Sequence, residues 1–134
     1  MTAKRPLTAR DINPEVFYKG TDREIIGRAL CDIGGRSRVG IGVLDLPAGS
    51  NTKPAHYHTK EEEHLYVVQG SMTLHLGQET YEMKEGDYVC FPANAPNAHY
   101  LDNQSGAVCS YLIIGERISD DKVIYPANPS NNEN

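Results

Sequence analysis

Short apolar stretches separated by turn residues recur along most of this chain. From residue 25 onward they return about every 8 to 12 residues, and none keeps the period of an amphipathic helix. Gly, Asn and Pro mark the joins. The pattern predicts strands at residues 25–31, 39–46, 55–58, 63–68, 72–76, 80–83, 88–91, 99–101 and 108–115. Such spacing is typical of an antiparallel all-β sandwich or barrel, and the pattern alone does not choose between the two.

Two of these strands have informative patterns. Successive side chains of a strand point to opposite faces, so if Glu63 points inward as a metal ligand, Leu65 and Val67 should point inward with it, while Tyr66 and Val68 point outward. The strand at 108–115 is the most apolar stretch of the chain. We expect it to be either a central strand buried on both faces or half of a dimer interface, because its composition fits both.

Composition divides the chain into three parts. Residues 1–24 are polar and interrupted by Pro6 and Pro14, which predicts an extended N-terminal arm or a loosely ordered tail. Residues 25–126 carry the strand pattern and form the expected single domain, since 134 residues suffice for one core and not for two. Residues 127–134 are rich in Pro and Asn and too polar to bury much surface, so we expect a disordered tail there.

Charge and cysteine content narrow the class of protein. The formal net charge is −5 and the 13 Lys and Arg residues are scattered, which argues against nucleic acid or an anionic membrane as partner. No apolar run approaches the roughly 20 residues of a membrane span, and the N-terminus lacks the apolar core of a signal peptide. Cys31, Cys90 and Cys109 lack CxxC spacing and lie in or beside apolar stretches, so we expect buried, reduced thiols in a cytoplasmic protein.

One stretch in the middle of the chain carries a group of metal-ligand residues. His56 and His58 alternate with Tyr57, so on a strand both imidazoles project from one face. Glu63 opens the next strand and can bring a carboxylate to the same point, with Glu62 as the second choice. Imidazole and carboxylate ligands suit a divalent transition metal, and zinc, iron, manganese and nickel all fit.

Two motifs resemble those of the cupin superfamily. In the first, Gly49 is followed by His-x-His, four residues, Glu, six residues and Gly70. In the second, the Gly-Asp pair at 86–87 is followed by a Pro-rich loop, His99 and Asn103. The resemblance covers roughly residues 38–126. It implies an antiparallel double-stranded β-helix, the jelly-roll barrel of cupins, with a ligand site in its mouth or interior.

The resemblance also implies a fourth metal ligand, for which two residues compete. Many cupins carry His where Asn97 stands here, but His99 keeps the spacing of four residues to Asn103, so we expect His99 to be the ligand. Asn97 is then either a polar contact at the cavity mouth or a turn residue. Asn103 is expected to order the loop of His99 through hydrogen bonds to the backbone. The predicted metal ligands are therefore His56, His58, Glu63 and His99.

Other polar residues near the motifs are expected to have no metal-binding role. We expect His64 to be a surface or interface residue, His75 an ordinary sheet residue and Cys90 a packed core thiol. Glu61 and Glu62 are expected in a solvated turn.

Three functions fit these features. The first is a metalloenzyme, an isomerase, lyase or dioxygenase acting on a small polar metabolite; the second is a small-molecule binding or sensor module. The third is a protein with a purely structural metal, whose cavity would be packed shut by Leu65, Val67 and Phe91. A subgroup of bacterial cupins that resembles this chain is provisionally labelled as sugar-phosphate isomerases, a label that rests on fold analogy. By analogy with other cupins we expect a homodimer.

Overall fold

The computed structural model describes residues 5–31 and 37–128. The first element of the described residues is a 3-10 turn at Ala9–Asp11. The strands of the described residues are β1 (Glu15–Phe17), β2 (Ile25–Ala29), β3 (Val39–Leu46), β4 (Tyr57–His58), β5 (Glu63–Gln69), β6 (Ser71–Leu76), β7 (Glu79–Lys84), β8 (Tyr88–Phe91), β9 (His99–Asp102), β10 (Cys109–Glu116) and β11 (Val123–Ile124). The tail predicted at 127–134 lies outside the described residues from 129 onward.

These strands form three sheets in which every pairing is antiparallel. A six-stranded sheet has the order β1-β2-β3-β10-β5-β8, and a three-stranded sheet has the order β7-β6-β9. The short strands β4 and β11 pair separately. The prediction of an antiparallel all-β fold is therefore confirmed.

Two short strands were not predicted from the sequence. Strand β1 lies within the segment expected to be an arm, and it pairs with β2. Strand β11 pairs with β4 near the C-terminal end of the described chain. Both are too short to show a hydrophobic period, because they are defined by their pairing partners rather than by their own composition. The remaining predicted strands are present, with ends that differ by one or two residues.

The core shows the alternation expected of strand β5. Leu65 and Val67 are 1% and 0% exposed, whereas Tyr66 and Val68 are 46% and 45% exposed. The predicted inward and outward faces of this strand are therefore confirmed. Other fully buried side chains come from both large sheets and include Leu46, Met72, Leu74 and Cys109.

Strand β10 is central, lying between β3 and β5. Cys109 and Tyr111 are buried on one face, while Ser110 and Leu112 on the other are only half-buried. The predicted central position is confirmed, but burial on both faces is not. The half-buried second face keeps the dimer interface a prediction.

The glycine between β5 and β6 is required by a close approach of the backbone. Gly70 has φ +84°, and a Cβ there would stand 2.5 Å from the carbonyl oxygen of Val108. Any other residue would therefore displace the segment that enters β10.

The cysteines differ from the prediction of three buried thiols. Cys109 is buried, but Cys31 and Cys90 are only half-buried, and Cys90 lies on the outward face of β8 beside His64. The prediction of a core thiol at Cys90 is wrong, because Phe91 occupies the inward position of that strand. The three cysteines, all within the described residues, form no disulfide. No helix among the described residues is long and apolar enough to cross a membrane.

Candidate metal centre

The two histidines of the first motif are held by short backbone pairings. His56 forms an isolated antiparallel bridge with His99, in which each residue donates its N–H to the other's carbonyl oxygen at 3.1 and 3.0 Å. His58 lies in β4 and pairs with Val123 of β11. The two imidazole ring centroids are 5.4 Å apart. The predicted convergence of His56 and His58 is thus present.

Glu63 reaches the same point from the first position of β5. Its neighbours across the sheet are Phe91 and Gly115. A Cβ at Gly115 would stand 3.3 Å from Cγ of Glu63, so this glycine leaves room for the carboxylate side chain. The role of Gly115 is not predictable from the sequence, because it depends on a partner strand that is distant in the chain.

Three of the four predicted ligands form one compact cluster. One ligand atom from each of His56, His58 and Glu63 lies within 4.8 Å of the others. His58 Nε2 is 3.3 Å from Glu63 Oε1. His99 is not part of the cluster at that distance, although its ring centroid lies 4.7 Å from that of His56.

His99 is held by stacking and burial. It is 7% exposed, and its ring stacks on Phe91 with centroids 3.6 Å apart and planes 6° from parallel. Asn97, the competing residue, is exposed, and its Cβ packs 3.1 Å from the position that a Cβ would take on Gly77. The structure therefore places His99, and not Asn97, in the interior beside the cluster.

The carboxylate of Asp121, which was not predicted from the sequence, contacts His58. His58 Nδ1 lies 2.7 Å from Asp121 Oδ2. The other oxygen of Asp121 accepts hydrogen bonds from the backbone N–H groups of Lys60 and Glu61 at 2.8 and 3.0 Å. With Nδ1 held in this way, Nε2 points toward Glu63. Asp121 belongs to no recognisable motif, so only the fold reveals this contact.

Burial and mutual charge separate the pKa values of these groups. The hydrogen bond with Glu63, with a further contribution from Asp121, raises the pKa of His58 to about 9. Burial lowers the pKa of His99 to about 3, helped by the neighbouring His56, and burial also lowers the pKa of His56. For Glu63, burial is the largest influence and would raise the pKa, but the hydrogen bond from His58 and the electrostatic interactions with His58, His99 and His56 together outweigh it and lower the pKa. His56 and His99 are therefore neutral, and Glu63 ionised, at pH 7.

The donor set fits a divalent transition metal. Neutral imidazole nitrogens and an ionised carboxylate are the protonation states that metal binding needs. A histidine whose second ring nitrogen contacts a carboxylate is the usual arrangement around protein-bound metals. The protonation states required for metal binding are already present at His56, His99 and Glu63. His58 must lose one proton.

An inner cavity of about 230 Å³ borders this cluster and includes His56, Glu63 and His99 in its wall. An outer recess of about 300 Å³ shares Leu44, Glu63 and Ile113 with it. Leu65 and Phe91 belong to the wall of the inner cavity without filling it. The centre is therefore not packed shut, in contrast to the prediction for a purely structural metal.

The remaining sequence predictions around the motifs have mixed outcomes. Asn103 was expected to order the loop of His99 through hydrogen bonds to the backbone. It does make such bonds, but they order the turn after β9 rather than the loop before His99. Its Nδ2 donates to the carbonyl oxygens of Leu46 and Ala107, both at 2.8 Å, and its Oδ1 accepts from Ser105. Asn103 is fully buried, which makes these bonds structurally important.

The acidic turn is only partly solvated. Glu62 is exposed and lies 2.7 Å from His64 Nε2, in agreement with the surface role predicted for both residues. Glu61 instead turns inward, and its Oε2 accepts the N–H of Ile118 at 2.8 Å. The prediction of a solvated turn is therefore wrong for Glu61. His75 is a sheet residue as predicted, and its ring stacks on Tyr100 with centroids 4.2 Å apart.

The chain matches a known protein family. The Cupin_2 family, described as a cupin domain, matches residues 42–115, and the chain belongs to this family. This match confirms the resemblance inferred from the two motifs.

Two solved structures share the fold over most of the chain. A sugar phosphate isomerase of the cupin superfamily from Silicibacter pomeroyi superposes with a TM-score of 0.81 and 26% identity, covering 90% of this chain and 81% of that one. A protein of Acidithiobacillus ferrooxidans, provisionally named a sugar phosphate isomerase, has a TM-score of 0.80 and 30% identity over 92% and 81% of the two chains. These likenesses confirm the jelly-roll barrel.

Two curated relatives are similar to part of this chain. Quercetin 2,3-dioxygenase of Bacillus subtilis strain 168 is 28% identical over 98 residues, which is 70% of this chain and 29% of the relative. An uncharacterised protein of Methanocaldococcus jannaschii is 34% identical over 58 residues, covering 43% of this chain and 44% of the relative. The chain thus spans less than half the length of these curated relatives.

Proposed function

We propose that this cupin is a metalloenzyme that acts on a small molecule through one divalent transition metal. The observation that carries the proposal is the convergence of His56, His58 and Glu63 beside an open cavity whose wall also contains His99. The proposed ligands are His56, His58, Glu63 and His99. Zinc, iron, manganese and nickel all fit this donor set.

Residues around the proposed metal position its ligands and leave space for a substrate. The Nε2 atom of His58 is aimed toward Glu63 by the contact of Nδ1 with Asp121. Phe91 fixes the plane of the His99 imidazole by stacking. A bound divalent metal with an open position supplies Lewis-acid chemistry, polarising a carbonyl group or lowering the pKa of bound water. The open inner cavity supports a catalytic rather than a structural centre.

The identity of the fourth ligand has a direct test. His99→Ala should lower zinc affinity by about tenfold or more, because a buried imidazole is lost from the set, whereas Asn97→Ala should leave it unchanged. Isothermal titration of both variants with zinc measures this difference. The reverse order would show that the second motif has been aligned incorrectly.

The enzymatic function is tested by metal-dependent turnover. Protein loaded separately with zinc, iron(II), manganese or nickel is incubated with a mixture of small metabolites, and consumption is followed by mass spectrometry. We expect at least one compound to be consumed by metal-loaded protein and not by the Glu63→Ala variant. Retention of a compound without its conversion, with all four metals, would instead favour a binding module.

A further inference from the structure

The inner cavity has a mainly apolar wall. Apart from His56, Glu63 and His99, the polar members that the described part of the chain contributes are Thr52 and Tyr111. The hydroxyl of Thr52 already accepts the N–H of Leu101 at 2.8 Å, and Tyr111 is buried. The apolar side chains of the wall are Ile25, Leu44, Leu65, Phe91, Leu101 and Ile113.

Among the described residues, this wall offers no Lys or Arg side chain to an anionic ligand. Its lining within residues 5–31 and 37–128 consists of apolar side chains, three of the proposed ligands, Thr52 and Tyr111. A phosphate buried without hydrogen-bonded cations or amides carries a large desolvation cost. A hydrocarbon surface in the same place would instead gain free energy by leaving water.

The arginines of the outer recess are already engaged. Arg28 donates from Nε to the carbonyl oxygen of Ile12 at 3.2 Å and pairs with Asp45 at 3.4 Å. Arg117 donates to the carbonyl oxygen of Ser37 at 3.2 Å. Turning either guanidinium group toward a phosphate would compete with these contacts.

A third recess is the strongest competing location for an anion. It measures about 180 Å³, contains Arg23 and Lys53, and shares Ile25, Thr52 and His56 with the inner cavity. The Arg23 guanidinium lies 4.4 Å from the ring centroid of Tyr18. A ligand whose phosphate reached this recess would gain from these cations, so the test includes a phosphate.

We infer that the ligand of this centre is a small molecule with an apolar, ring-sized body and a polar head that chelates the metal, rather than a phosphorylated sugar. The apolar cavity wall receives the body, and the cluster of His56, His58 and Glu63 lies at the position of the head. This class differs from the polar metabolite expected from the sequence. The inference rests on the proposed metal centre. The experiment below distinguishes failure of the apolar-ligand inference from failure of the metal centre itself.

The test compares hydroxamates that share one chelating head. Binding of acetohydroxamate, benzohydroxamate, glycolohydroxamate and phosphoglycolohydroxamate to zinc-loaded protein is measured by isothermal titration. We expect benzohydroxamate to bind at least about tenfold more tightly than acetohydroxamate, because its ring is buried against the apolar wall. The phosphate of phosphoglycolohydroxamate should add no more than about twofold to the affinity of glycolohydroxamate.

Matched variants locate the apolar contact. Ile113→Thr, in the shared wall, should reduce the preference for benzohydroxamate by about threefold or more. Leu112→Thr, on the opposite face of β10, should leave the preference unchanged. Acetohydroxamate binding reports for each variant that the zinc centre is intact.

The outcomes are distinguishable. Equal affinities for acetohydroxamate and benzohydroxamate, or a gain of about tenfold or more from the phosphate, would overturn the apolar-ligand inference while leaving the metal centre in place. Failure of wild-type protein to retain zinc would overturn the proposed function, and with it this inference.

Discussion

Asp121 connects the C-terminal segment to the chemistry of the proposed centre. Its two oxygens contact His58 Nδ1 on one side and the backbone N–H groups of Lys60 and Glu61 on the other. Burial alone would raise the pKa of Asp121, but these hydrogen bonds outweigh it and the pKa is lowered, so the carboxylate is ionised at neutral pH. An ionised acceptor fixes the orientation of His58 and increases its basicity.

Asp121→Asn should therefore weaken zinc binding by about 10- to 100-fold without removing a ligand. The neighbouring Asp120→Asn is the matched control, because Asp120 is exposed and pairs only with Lys60 among the described ion pairs. Competition with a fluorescent zinc chelator measures both affinities. Equal zinc affinity in the two variants would show that Asp121 does not position His58.

The ionisation of His58 gives a pH-dependent prediction. Its folded-state pKa is raised to about 9, so His58 is protonated at pH 7 and must lose its proton to bind a metal, whereas His56 and His99 are already neutral. We expect zinc uptake at pH 7 to release about one proton from this residue, and none above the folded pKa. Titration calorimetry in buffers of different ionisation enthalpy measures the release. Zinc binding at pH 7 without proton release would contradict the assigned charge of His58.

At the scale of elements, the turn between β9 and β10 depends on one buried amide. Asn103 supplies hydrogen bonds to carbonyl oxygens at the end of β3 and within this turn. Asn103→Ala should lower the free energy of unfolding by about 2–3 kcal/mol, because buried acceptors lose their donors. Gln104→Ala, at an exposed position, should change it by less than about 0.5 kcal/mol. Urea unfolding measures both, and a similar small effect in the two variants would refute the structural role of Asn103.

The elements also show which parts of the fold are predictable from sequence. The faces of strand β5 can be predicted because Glu63 marks the inward side and side chains alternate along a strand, so Leu65 and Val67 share its face. Strands β1 and β11 have too few residues for such a pattern, and they exist because β2 and β4 offer them backbone partners. Long strands can therefore be predicted from the pattern of apolar and polar residues, whereas short strands form only when the folded protein provides a pairing partner.

The same distinction applies to the candidate centre. His56, His58, Glu63 and His99 could be proposed because they fall in two motifs that resemble those of cupins. The contact of Asp121 with His58 joins residues 63 positions apart, and the space for Glu63 depends on Gly115 of a different strand. Contacts created by topology leave no local signal in the sequence.

At the scale of the whole molecule, the proposed centre joins all three sheets. Glu63 begins a strand of the six-stranded sheet, His58 belongs to the β4–β11 pair, and His99 opens a strand of the three-stranded sheet. Stacking with Phe91 and bridging to His56 hold His99 against the others. A metal at this point would add a further connection between the three sheets, so metal binding and folding stability should be coupled.

The most direct test of the metal centre is the metal content of the protein. Untagged protein purified without chelator is analysed by elemental mass spectrometry, before and after reconstitution with zinc, iron(II), manganese and nickel. We predict about one transition-metal ion per chain for the wild-type protein and a much lower content for Glu63→Ala. Wild-type protein that holds no stoichiometric metal, even after reconstitution, would contradict the proposed centre.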